Sequence, residues 1–265
     1  MNALALGLDR TALELRMYSR EKEAIFFSFL FPILMLALFA VIFGDAVEAG
    51  GSRMSAAEFF LPGMISAGIL LTSFQTMAMS VAAERDDGTL KRLRSTPMPP
   101  VSYFLGKVGL VLVTALAQQV LLLAVARFVF GVDLPDTPGR WLTFAWVFGL
   151  GAFAGTVLGT AYSSLATART IGAVVVAPML VLQFISGVYF AFTDIPSWLQ
   201  QVASVFPLKW IAQGMRSAFF PDELASLEMA GAWEHGRTVA VLGVWALAGL
   251  VLCVLTFRWF KRGTT

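Results

Sequence analysis

Residues 25–43 read IFFSFLFPILMLALFAVIF, nineteen consecutive positions without a charge. At about 1.5 Å of rise per residue, a helix of that length nearly crosses the ~30 Å hydrocarbon layer of a bilayer. Five further apolar runs of similar length follow: Phe59–Val81, Val108–Phe130, Trp141–Tyr162, Ile171–Phe192 and Val239–Phe257. Strands of a membrane barrel would be about ten residues long with alternating polarity, and nothing in this chain alternates over such lengths. The expected fold is therefore all-α, a polytopic membrane protein of six transmembrane helices forming one domain over residues 1–265.

Composition agrees. Of 265 residues, 58% are hydrophobic and 14% charged, against roughly 45–50% apolar and about 25% charged in a soluble domain. A soluble chain of this length has no means of burying so much apolar surface. The net charge of +2 leaves no electrostatic footprint for nucleic acid, so none is expected as a partner. Cys253 stands alone and cannot close an intramolecular disulfide. No GxxxxGK[ST] stretch is present, His235 is the sole histidine and HExxH is excluded. No catalytic constellation, metal site or bound nucleotide is expected, and energy for uphill transport has to come from another subunit.

Orientation follows from Lys and Arg, which collect in cytoplasmic loops. With six spans both termini share a side. That side holds thirteen cations: Arg10, Arg16, Arg20, Lys22, Arg85, Lys91, Arg92, Arg94, Lys107, Arg169, Arg258, Lys261 and Arg262. The opposite side holds six, so the termini are expected in the cytoplasm. Within residues 1–24, Leu4, Leu8, Ala12, Leu15 and Tyr18 share one helical face. Asp9, Arg10, Glu14, Arg16, Arg20 and Glu21 mostly take the other. This suits an amphipathic helix lying on the membrane surface, or one packed on the bundle.

The loop between the last two spans carries two short stripes over residues 194–220. Trp198, Leu199, Val202, Val205 and Phe206 form the first; Leu208, Ile211, Met215 and Phe219 form the second, after Pro207. Each is too short to span, and the pair is expected as re-entrant helices in the outer leaflet. Gly151, Gly155 and Gly159 repeat every four residues, with Ser163 continuing the line. Such spacing serves either dimerisation or, more commonly, packing within one bundle. At mid-depth, Gln75 and Gln183 are polar positions fit for a ligand or an interhelical hydrogen bond. Phe60, Met64, Phe74, Met77, Phe184 and Tyr189 supply an aromatic and Met-rich lining for a hydrophobic substrate, or else core packing and lipid contact.

Residues 82–100, AAERDDGTLKRLRSTPMPP, carry a capped turn at Asp86–Gly88 and a short basic helix over Thr89–Ser95. Pro97, Pro99 and Pro100 stop it. A solvated positive loop explains the charges but not the cap, the paired Leu90 and Leu93, or the prolines.

The pattern E-R-x-x-G-T-L-x-x-L-x-x-T-P, from Glu84 to Pro97, resembles the loop after the second span in ABC transporter permeases of the type-2 exporter class, with a basic cluster similar to the daunorubicin and multidrug-resistance branch. The stretch Ile195–Phe220, with its Pro-x-Trp-Leu start, central Phe-Pro and late Arg, resembles the same family's outer re-entrant region. The resemblance implies a non-catalytic permease subunit of the bacterial inner membrane. Its partners would be a separate ABC ATPase, which binds ATP and Mg, and a second permease copy or sister permease. It implies that the matching positions in 84–97 (Glu84, Gly88, Thr89, Leu90, Arg92, Leu93, Arg94 and Pro97) form the coupling helix docking on the ATPase. The expected substrate is hydrophobic or amphipathic and drug-like. A lipid, a lipid-linked glycan or polysaccharide, and a scaffold role without transport are the alternatives.

Overall fold

A computed structural model describes residues 2–44, 47–165 and 167–257; Arg258, Lys261 and Arg262 of the orientation count lie outside them. The chain is mostly helical, and five helices are long and apolar enough to cross a membrane: Phe26–Phe43, Ala56–Asp86, Pro100–Phe128, Pro138–Leu165 and His235–Thr256.

Helix α1 spans Ala3–Tyr18 and α2 spans Lys22–Ile25. A π-helical turn, Phe26–Leu30, leads into α3, Phe31–Phe43. One departure from an all-helical chain follows, a hairpin of β1 (Val47–Ala49) and β2 (Ser52–Met54) closed by Gly50–Gly51. Ser55 and Glu58 form a reciprocal capping box, with hydrogen bonds of 2.9 and 3.2 Å, that starts α4, Ala56–Leu70. A second π segment, Leu71–Gln75, continues into α5, Thr76–Asp86. Then come α6 (Thr89–Arg94), α7 (Pro100–Phe128), α8 (Pro138–Tyr162) and α9 (Ile171–Ile185). The described residues close with α10 (Ser197–Val205), α11 (Pro207–Phe219) and α12 (His235–Thr256).

The expected fifth span, 171–192, is helical only to Ile185. Arg216 donates to the Gly187 carbonyl at 2.6 Å, and Gly187 has φ 73°, so the backbone turns away there. The third helix starts at Pro100 rather than at residue 108, because Lys107, which breaks the apolar run, has its charge satisfied inside the protein. The second stripe of the 194–220 loop is enclosed more fully than an amphipathic pattern suggests. Leu208, Ile211 and Met215 are buried, and so are Lys209, Gln213 and Arg216 on the opposite face of α11.

The glycine line of α8 is used inside the chain. Gly155 and Gly159 face the second π segment so closely that an added methyl would overlap Ser73 Oγ or the Phe74 carbonyl. A π segment bulges from its helix axis, and a row without side chains on the neighbour is what admits the bulge. Gln118 and Gln119 of α7 hold the π segment and the α4 helix before it. Gln118 accepts from Thr72 Oγ1 at 2.8 Å, and Gln119 donates to the Ile65 carbonyl at 3.2 Å.

Candidate functional site

The loop that the sequence singles out is built on a buried joint of charges. Lys107, in the second turn of α7, is fully buried. Its Nζ lies 2.9 Å from Glu14 of α1, 2.7 Å from Glu84 of α5 and 2.7 Å from Ser80 Oγ. Arg10 of α1 bridges the same two carboxylates, at 2.5 Å from Glu14 and 3.4 Å from Glu84. Tyr103 donates to the other Glu84 oxygen at 2.7 Å, and its ring lies under both Arg10 and Lys107. Two cations and two carboxylates make the cluster neutral, which is the condition for tolerating charge away from water.

Local sequence places each group. Gly7, Arg10, Glu14 and Tyr18 recur at three- and four-residue spacing and form the buried stripe of α1. Gly106 lets α1 approach, since any side chain there would meet the Arg10 stem. On the polar face of α1, Arg10 and Glu14 turn inward to pair, while Leu4 and Leu8 of the apolar face are exposed at 62% and 72%.

Helix α6 packs beside this joint, through Leu90 in one cluster with Tyr103. Gly88 takes φ 78°, and Thr89 N–H donates to Asp87 Oδ1 at 2.8 Å, which together turn the chain out of α5. Leu90 is fully buried among Met77, Val81, Tyr103 and Val111, and Leu93 is half-buried against the same cluster. Lys91, Arg92 and Arg94 are exposed; Arg92 donates to Thr89 Oγ1 at 3.0 Å, and Pro97 ends the loop exposed. The end of α5 is tied sideways as well. Arg85 donates to the Ser163 carbonyl at 2.5 Å, and Asp86 accepts from Ala168 N–H at 2.7 Å, in the turn between α8 and α9.

The structure thus separates the eight loop candidates by position. Arg92 and Arg94 are exposed, as is their neighbour Lys91, while Leu90 and Glu84 are buried within this chain. The sequence reading took Arg10, Glu14 and Lys107 only as charges on a helix face or beside a span, and did not raise Tyr103. A lone cation inside VSYFLGKVGLVL, and an Arg10–Glu14 pair one turn apart on the Gly7 stripe, are the signals that point to them.

The pathway candidates fall into three groups. Phe60, Tyr189 and Phe184 belong to one run of rings. Phe60 stacks on Phe39 at 4.5 Å, Phe39 meets Tyr189 at 5.7 Å, and Tyr189 meets Phe184 at 5.1 Å. Gln183 joins them, accepting from Tyr189 Oη at 2.5 Å, and Phe184 ends the run 54% exposed. Met64 and Met77 are enclosed in separate parts of the core. Phe74 packs on Tyr162 at 5.4 Å, and Gln75 is half-buried in the second π segment. Among the described residues no group of His, Cys, Asp and Glu could hold a metal ion.

The model of the family described as ABC-2 type transporter matches residues 11–220, from within α1 through α11 and including the whole of α6. The chain belongs to the ABC-2 type transporter family. It is therefore a non-catalytic membrane subunit of an ABC transporter, and a separate ATPase hydrolyses ATP. Among its relatives is the inner membrane transport permease YadH of Escherichia coli K12, 23% identical over 197 residues, covering 71% of this chain and 73% of the relative. Another is the probable multidrug ABC transporter permease YbhR of the same organism, 23% identical over 193 residues, covering 72% of this chain and 51% of the relative.

Proposed function

We propose that this ABC-2 permease forms half of the translocation pathway of an exporter of hydrophobic or amphipathic, drug-like molecules across a bacterial inner membrane. The other half is a second copy or a sister permease. ATP and Mg stay on the ATPase subunits, and this chain binds neither. Helix α9 makes a short fifth crossing, α10 and α11 re-enter from the outer face, and both termini are cytoplasmic. The observation that carries this reading is the seating of α6. A short helix with three outward cations stands beside a buried joint linking α1, α5 and α7, so a push on α6 is passed to three helices at once. The ring run Phe60–Phe39–Tyr189–Phe184 then supplies an apolar wall with Gln183 as its polar point, in the manner of sites for amphipathic molecules. The word "multidrug" in the name of YbhR supports the substrate class.

The experiment is reconstitution with the ATPase in lipid, measuring ATP hydrolysis and efflux of a hydrophobic cationic dye. Dye should stimulate hydrolysis, and Phe184→Ala should shift the order of preference among several dyes. Stimulation by a lipid-linked glycan and by no dye would overturn the substrate assignment.

A further inference from the structure

A cleft of about 300 Å³ lies between α8, α9 and α12, with the second π segment behind it. Phe74, Val174, Met179, Trp245 and Leu252 are among the residues lining it. The hydroxyls in its wall are already committed: Ser164 donates to the Ala161 carbonyl at 2.8 Å and Thr256 to the Leu252 carbonyl at 2.7 Å. Tyr162 donates to the Val174 carbonyl at 3.4 Å. Each of these hydroxyls has given its proton to a backbone carbonyl and the rest of the wall is almost wholly apolar, which distinguishes the cleft from a drug site, where a few placed polar groups give specificity.

Its depth is that of one leaflet. Phe206, Pro207 and Trp245 close one end, with Trp245 Nε1 donating to the Val205 carbonyl at 2.7 Å. Thr256 marks the other end. Trp245 and Thr256 are eleven residues apart on α12, about 16 Å at ~1.5 Å per residue, roughly half of the ~30 Å hydrocarbon thickness.

A cation stands beside the cleft: exposed Arg169 sits in the connection from Leu165 to Val174, both of which line it. A basic group beside an apolar gap between membrane helices suits an anionic headgroup above an acyl chain.

We propose that this cleft is a binding site for one acyl chain of an anionic phospholipid, drawn from the leaflet on the α6 side, with the headgroup phosphate held at Arg169. The site is independent of the transported substrate and of the drug-export reading. By packing α9 against α8 and α12, the chain supports the helix that carries Gln183 and Phe184.

Native mass spectrometry of the permease–ATPase complex, released from vesicles of phosphatidylcholine and phosphatidylglycerol in equal parts, tests it. Phosphatidylglycerol should be retained in preference, and Arg169→Gln should lower that preference about fivefold. Val174→Phe, which fills the cleft, should abolish retention of either lipid there. Brominated phosphatidylglycerol should quench wild-type fluorescence more than that of Trp245→Phe, an arm that does not depend on the Val174 variant folding. Equal retention of the two lipids by the wild type would overturn the proposal. So would quenching unchanged by Trp245→Phe, or displacement of the bound chain by a transported dye with Arg169→Gln without effect, which would give the cleft to substrate.

Discussion

At the scale of single residues, the decisive group is Glu84. It resembles a family position expected at the ATPase contact, yet its carboxylate is consumed by Lys107, Arg10 and Tyr103. Removing one partner of a buried charge pair costs about 3–5 kcal/mol, because the remaining charge is left uncompensated, whereas removing both partners is often close to neutral. Glu84→Gln should therefore lower the thermal midpoint of the detergent-solubilised permease sharply, and Lys107→Met in the same chain should recover most of it. If Glu84 touched the ATPase instead, Glu84→Gln would weaken pull-down of that subunit at an unchanged midpoint. Lys209 offers a second test, this one by pH. Burial pushes its ammonium down to about 8, against the pull of Glu228. In the unfolded chain the group keeps its ordinary value near 10.5. Below pH 8 both states carry the proton, and the folded state bears the whole penalty of a buried charge. Between 8 and 10.5 only the unfolded state holds it, so stability rises with pH in that window. The midpoint of Lys209→Met relative to the wild type should fall as pH is raised from 7.5 to 10. A difference that stays flat with pH would show that Lys209 does not titrate there.

At the scale of elements, α6 is short enough for its one buried side chain to decide whether it stays seated. Truncating a buried Leu to Ala costs about 2–5 kcal/mol, and Leu90 is the fully buried side chain of α6. Leu90→Ala should lower both the thermal midpoint and ATPase pull-down. The triple variant Lys91→Ala, Arg92→Ala, Arg94→Ala should lower pull-down at an unchanged midpoint, since its side chains are exposed. A triple variant with full pull-down would remove the cationic face from docking. Gly88→Ala tests the hinge before α6. Nothing lies within 4 Å of an added Cβ, so the strain comes only from φ 78°, at about 1 kcal/mol for a single non-glycine residue in the left-handed region. How far α6 and its neighbours could be read in advance differs from group to group. The Gly88 turn and the proline stop are local chemistry and were legible. The burial of Leu90 was not, because period and polarity do not say which protein a short helix faces. Lys107 was misjudged for the opposite reason. A charge ends an apolar run in any one-dimensional reading, and only partners 93 and 23 positions away, Glu14 and Glu84, let α7 continue through it.

At the scale of the whole molecule, the two ends of the bundle differ in how they hold charge, and this bears on orientation. The end with α1 and α6 carries exposed cations above a neutral buried joint. At the opposite end, Lys209, Arg216 and Glu228 are enclosed, with Arg216 Nε 2.6 Å from Glu228. Exposed cations, within reach of anionic lipid headgroups, collect on the cytoplasmic face; enclosed ones cannot contribute to that bias. Setting aside the enclosed cations of both ends, Arg10 and Lys107 on one and Lys209 and Arg216 on the other, turns the thirteen to six read from sequence into eleven to four, so the excess of seven on the side of the termini stands. Ser226 is exposed beside α11, at the end predicted to face outward. In a chain whose buried Cys253 has been replaced by Ala, Ser226→Cys should react with a membrane-impermeant thiol reagent in intact cells. Thr264→Cys, near the C-terminus and outside the described residues, should react only after the cells are opened. Labelling of Thr264→Cys but not of Ser226→Cys in intact cells would invert the molecule. It would also turn α6 away from the compartment that holds ATP, and the proposed transmission through Gly88, Leu90 and the Glu84–Lys107 joint would fall with it.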